Sequence, residues 1–301
     1  MQRTTSGLSK YSVMLLAMAA LTPCGVRFAR AQNVSSQTHA STLPAGTPRS
    51  WVDAAAANEV HIIDDDGSFP LRYRVRKVDA KGDVTREIIE TRQGSVARLV
   101  QRNGQPLTAA EDAAEQERLN AILASPEEFI KHHKRDNATR QDSLQLVRQM
   151  PQAMIYTYTP GQPQTPNAAS PQVVLDFHPD PAFKPPTMLS DLLTGLEGRM
   201  WIDSKSNRVT RIEGRVLHPV NFGWGFVARI YPGGTIVFEQ ANAGGDRWVY
   251  SHVDTHLTMR VIVKTVPMNE QMSAANFQLL PAPVSFQEAV HMLLAMPSPT
   301  H

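Results

Sequence analysis

The chain has 301 residues, 42% hydrophobic and 19% charged, the balance of a globular protein of one or two domains. Four of its 30 basic residues (Arg3, Lys10, Arg27, Arg30) and none of its 28 acidic ones precede residue 32, so the remainder carries 26 basic against 28 acidic residues. That balance does not argue for a nucleic-acid partner, and none is expected. Cys24 is the single cysteine and lies in the same N-terminal stretch, which excludes disulfides, thiolate metal sites and cysteine nucleophiles from the rest.

In chain order, Arg3 and Lys10 lead into the apolar run "SVMLLAMAALTPCGV", too short for a stable membrane span. "ARAQ" follows, with Ala29 and Ala31 at the small-residue positions of a signal-peptidase site. Residues 1–31 therefore predict a signal peptide cleaved after Ala31 and an exported, periplasmic or extracellular protein. A retained anchor and lipidation at Cys24 are the alternatives, and Pro23 stands against the second. Residues 32–49 are polar with Pro and Gly and predict a flexible linker, leaving 50–301 as the folded domain. Asp64, Asp65 and Asp66 before Gly67 lack the alternating ligand spacing of a calcium loop and predict a turn.

Leu71, Tyr73 and Val75 alternate with Arg72, Arg74 and Arg76, a hairpin strand turning at Lys81-Gly82. "SVARLVQRN" predicts a further strand. Thr108 and Glu111 form a capping box for a helix through "AAEQERLNAIL", and Ser125-Pro126 opens a second helix ending near Pro151. Beyond it "AMIYTYT" and "PQVVLDFH" flank a Pro/Gln-rich loop. The strands "EGRMWID", "RVTRIEGRVL", "GWGFVARI" and "GTIVFEQ" follow, then a long strand or bent pair from Asp246 to Val266. Ser285 and Glu288 cap a last helix. Strands, helices, then strands is an α+β order, predicting a large curved antiparallel sheet with helices over its concave face.

The segments "RLVQRNGQPLTAAEDAAEQERL", "LEGRMWID", "RVTRIEG", "FGWGFVARI" and "IVFEQ … DRWV" resemble uncharacterised secreted bacterial proteins similar to the outer-membrane lipoprotein-sorting carriers, over roughly residues 65–265. The resemblance implies an unclosed half-barrel around an apolar cavity for acyl chains, with no catalytic residues and no cofactor. The partner it suggests is a lipid or an acylated protein, and a monomer is expected. The carriers' basic gating residue has no matching motif here.

Candidate cavity residues are Phe222, Trp224 and Phe226, on one face of a strand whose other face carries Gly223 and Gly225, together with Trp201, Ile236 and Phe238. Such a row fits a sealed core as well as a cavity wall. Lys131, His132, Lys134 and Arg135 form a basic run on the second helix, either a solvated face or a docking surface for anionic head groups. His252, Asp254 and His256 share one strand face at steps of about 6.6–6.8 Å, and three ligands in a row converge poorly on one ion. There is no Gly-x-Ser-x-Gly elbow and no Ser-x-x-Lys pair. The expectation is a non-enzymatic binding protein. The alternative is an interaction or sensor module whose core is filled by its own side chains.

Overall fold

A computed structural model of the chain describes residues 44–64, 70–166, 168–222, 228–245 and 247–297, apart from the side chains of 62, 64, 128 and 132–139. The first element is one the sequence reading passed over, helix α1 (Pro48–Asp64). Thr47 Oγ1 accepts from the Ser50 backbone N–H at 3.2 Å, and Pro48 takes the first helical position, where its missing N–H costs nothing. Val52, Ala55, Ala56, Glu59 and Ile63 are buried at helical spacing, so α1 lies on the domain by one stripe. The ordered chain thus reaches back into the stretch expected as linker: Trp51 Nε1 donates to the Ala45 carbonyl at 3.0 Å, and Tyr158 Oη to Gly46 at 3.0 Å.

Two meanders and a closing hairpin make the sheet. β1 (Leu71–Asp79), β2 (Gly82–Thr91), β3 (Gly94–Arg102) and β4 (Gln105–Pro106) form the first. After helices α2 (Ala109–Ala124) and α3 (Pro126–Ala153) come β5 (Met154–Tyr158), β6 (Gln172–Pro179), the single-turn α4 (Asp191–Thr194), β7 (Leu196–Asp203) and β8 (Arg208–Val216). The short strands β9 (Val220–Phe222) and β10 (Ala228–Ile230) precede β11 (Thr235–Asn242), β12 (Trp248–Val261) and β13 (Lys264–Leu279), and helix α5 (Phe286–Leu294) ends the order. All pairings are antiparallel, in the order β4-β3-β2-β1-β13-β12-β11-β8-β7-β6-β5, with β10 on the far end of β12 and β9 beside it. The sheet does not close: β4 and β5 are its two ends.

The 28 residues of α3, about 42 Å at 1.5 Å per residue, bridge those ends. Its first turn packs Phe129 on Phe286 of α5, the rings stacked at 4.8 Å beside β2 and β3, and its last residue runs straight into β5. Pro126 stands at its first position as expected, although the Ser125 side chain makes no cap bond. The capping boxes of α2 and α5 are both formed.

Helices occupy both faces of the sheet. α1 and α3 cover the face carrying Met154, Phe177, Met200 and Ile202, called the inner face below. On β2 and β3 the inner face holds Ile88 and Ala97, whereas the neighbouring pair Ile89 and Val96 points the other way, onto α2 and α5. Between those two helices lies the fully buried guanidinium of Arg98 on β3. It donates to Asp112 Oδ1 of α2 at 2.8 Å and to the Leu293 and Met296 carbonyls at the end of α5, at 2.6 and 3.0 Å. One side chain therefore bridges a buried carboxylate and two carbonyls at a helix end.

The long segment after Arg247 is a hairpin, and its second strand extends to Leu279, well past the sequence signal. Pro267 masks that strand, yet it sits where β13 has β12 on one side alone, since β1 pairs only from Glu270 onward. The turn residue Ile262 has φ 55°, a left-handed conformation that a β-branched side chain resists, and is 68% exposed.

Two stability outcomes follow from this packing. Arg98→Ala removes the buried ion pair to Asp112 and the hydrogen bonds to two carbonyls, and should cost about 3–5 kcal/mol in urea unfolding. Ile262→Gly removes strain of about 1–3 kcal/mol and should raise the melting temperature.

Candidate functional site

On the inner face, four residues stand opposite one another across four strands: Phe177 of β6, Gly198 of β7, Gly214 of β8 and Ile236 of β11. Two side chains are missing from the middle of that row, and the two glycines differ. A Cβ on Gly198 would collide with the Glu213 carbonyl and approach the Phe177 ring to 2.9 Å, so this position admits no side chain. A Cβ on Gly214 would meet nothing closer than two carbonyl oxygens at 3.9 Å. Gly214 therefore faces open space.

That space is a cavity of about 130 Å³ between the sheet and the helices α1, α3 and α4. Its floor is β8 and β11, with Ile212, Gly214, Ile236 and Phe238, and its roof is Ala55 and Ala56 of α1 with Val147 and Met150 of α3. Short alanines above and a glycine below leave the gap. In volume it compares with an engineered apolar cavity of about 150 Å³ that binds benzene.

The cavity wall includes one carboxyl group, Glu59 of α1, which is 7% exposed. Tyr250 Oη donates to its Oε1 at 2.8 Å and Gln240 Nε2 to its Oε2 at 2.9 Å. The facing positions of those donors depend on a β-bulge. The register passes from Glu239 opposite His252 to Gln240 opposite Tyr250, skipping Ser251, and so turns Tyr250 inward. Burial pushes the Glu59 carboxyl above its ordinary range, against the opposing pull of the Gln240 and Tyr250 hydrogen bonds and the charge of Arg208. The neighbouring Asn58 fixes the helix: its Nδ2 donates to the Ser206 and Asn207 carbonyls at 3.1 Å, and Arg208 Nη1 donates to its own carbonyl at 2.8 Å.

A second depression, about 700 Å³ and open, lies on the other side of the same strands. Cross-strand ion pairs line it, Arg199 with Asp176 at 2.7 Å and Arg215 with Glu197, so its charges compensate one another. It lacks the apolar enclosure of the inner cavity.

The expected cavity residues separate. Ile236 and Phe238 line the cavity. Phe222 is buried elsewhere, among Val216, Val220, Ile230, Leu257 and Met259 around the β9–β10 pair. Trp201 lies on the opposite face, because Met200 and Ile202 take the inner positions of β7. Its Nε1 donates to the Pro163 carbonyl at 2.8 Å under the 160–171 loop, and the Arg199 and Arg211 guanidinium groups stand 6.0 and 5.8 Å from its ring. Trp224 and Phe226 lie outside the described residues, as do Asp65 and Asp66. Lys131 is exposed on α3, and the side chains of His132, Lys134 and Arg135 fall outside the description. His252, Asp254 and His256 share the outer face of β12, where His256 Nε2 makes an ionic contact with Asp254 Oδ1 at 3.0 Å. No group of three metal-ligating side chains occurs among the described residues. No helix among them is long and apolar enough to cross a membrane.

Sequence reasoning missed Glu59 because it missed α1. The signal was present: Val52, Ala55, Ala56, Glu59 and Ile63 keep helical spacing, with a carboxylate on an otherwise apolar stripe. No family model, curated protein or solved structure matches the chain.

Glu59 gives the fold a pH signature. Its folded pKa lies above its ordinary 4.5, so over that interval the folded state binds more protons than the unfolded state. Stability then falls as pH rises from 4.5 through the folded value and levels off beyond it. Glu59→Gln should remove this decline, so its melting temperature relative to wild type should grow between pH 4.5 and neutrality. A constant difference over that range would contradict the assignment.

Proposed function

We propose that the protein is an exported, non-enzymatic binding protein that holds part of a lipid, or of a lipidated partner, in the cavity beneath α1. The observation that carries this reading is Gly214: a position in the middle of the inner sheet face, free to bear a side chain, bears none and leaves apolar space beneath the helices. Burying an acyl chain there would contribute about 0.8 kcal/mol per methylene. A cavity of about 130 Å³ takes a short part of such a molecule rather than its whole length. The N-terminal charge, apolar run and Ala-x-Ala site support export.

The small volume also supports a second reading, an interaction or sensor module whose core is almost filled by its own side chains. One variant separates the two. Gly214→Leu occupies the cavity without backbone strain, so the melting temperature should stay within a few degrees of wild type or rise. Under the binding reading, an organic extract of the detergent-free wild-type protein contains a stoichiometric apolar molecule by mass spectrometry, and the Gly214→Leu extract does not. Two empty extracts, with no toluene binding to the wild type by calorimetry, would leave the filled-core module.

A further inference from the structure

The polar atoms of the cavity wall specify the head of its ligand, an inference that rests on the binding reading above. Five polar residues contribute to the lining: Glu59, Thr210, Arg211, Gln240 and Tyr250. Three are committed. Arg211 is engaged by Glu213 at 2.7 Å and by Glu239 on the outer face. Thr210 Oγ1 donates to the Trp201 carbonyl at 3.2 Å and accepts from Gln172 Nε2 at 2.8 Å. Tyr250 gives its hydroxyl proton to Glu59.

The remaining capacity is all of one kind. Gln240 Oε1 is buried and receives no hydrogen bond, because the amide turns its Nε2 toward Glu59. Each Glu59 oxygen takes one hydrogen bond from Tyr250 or Gln240 and has a second lone pair to offer. Turning the amide over would merely exchange an orphan acceptor for an unsatisfied pair at Glu59. A buried acceptor without a donor costs its desolvation.

We infer that the cavity takes an apolar molecule bearing a hydrogen-bond donor, a hydroxyl or a protonated amine, and discriminates against carboxylates. A donor beside Gln240 Oε1 and Glu59 satisfies both acceptors at once. A carboxylate offers acceptors to acceptors. Fatty acids are thus poor ligands of this site, whereas hydroxylated or aminated amphiphiles suit it.

The test uses four probes of one size, matched to the cavity: toluene, benzyl alcohol, benzylamine and benzoate, titrated calorimetrically into the full chain at pH 7.5. Benzyl alcohol or benzylamine should bind at least about fivefold tighter than toluene, the value of one net hydrogen bond, with benzoate weaker than toluene. The tighter of the two donors tells whether the natural head is neutral or charged. In Gln240→Leu the preference over toluene should fall below about twofold while toluene still binds. Toluene matching both donors, or benzoate matching them, overturns the inference and leaves the cavity reading intact. Failure of all four probes overturns both. The wild-type comparison decides the matter even if the variant does not fold.

Discussion

A carboxyl group placed on the apolar stripe of a helix constrains everything around it. Glu59 stays buried because two donors reach it from the sheet, and each depends on backbone detail elsewhere. Tyr250 faces inward because β12 skips Ser251, and Gln240 stands opposite it at that irregularity. Asn58 and Arg208 hold the same turn of α1 against the β7–β8 hairpin. The position of α1, and with it the roof of the cavity, therefore follows from polar bonds at one end of the helix. Ala55 and Ala56 on the preceding turn supply little bulk to fill the space they cover.

The opposite face is organised by another buried polar group with a different purpose. Arg98 joins β3, α2 and the C-terminal end of α5, and its partners are all of this chain. Such a cluster fixes one arrangement of helices on the first meander. On the inner face Gln240 Oε1 is a buried acceptor without a donor, and it lies in the cavity wall.

Much of the fold was legible because local rules and tertiary structure agree in it. The capping boxes at Thr108 and Ser285, the turn at Lys81-Gly82 and the alternation in β1 all appear in the structure as the residues dictate. The large antiparallel sheet followed from the order of elements, whereas its open ends were expected from the resemblance alone. What escaped was set by parity and long-range pairing. In "GRMWID" both Trp201 and its neighbours Met200 and Ile202 are apolar, so periodicity could not say which set faces inward. Phe222 packs with residues of β8, β10 and β12, neighbours that strand pairing brings together and that alternation within its own segment does not name. Glu59 was hidden for another reason: a lone acid among alanines looks like a solvated helix position until the sheet supplies its partners.

The seam between β1 and β13 bears on how such a chain acquires its shape. Lys77 Nζ meets Glu270 there at 2.6 Å across 193 residues of sequence. Each meander forms from neighbours and can assemble early, but this seam requires loop closure over most of the chain, which places it late in folding. Until residues 264–279 arrive, β1 offers a bare edge with Leu71, Tyr73 and Val75 on one side, the kind of edge that recruits other strands. The last strand is thus the protein's own safeguard against aggregation, and any truncation before Leu279 exposes the edge it covers.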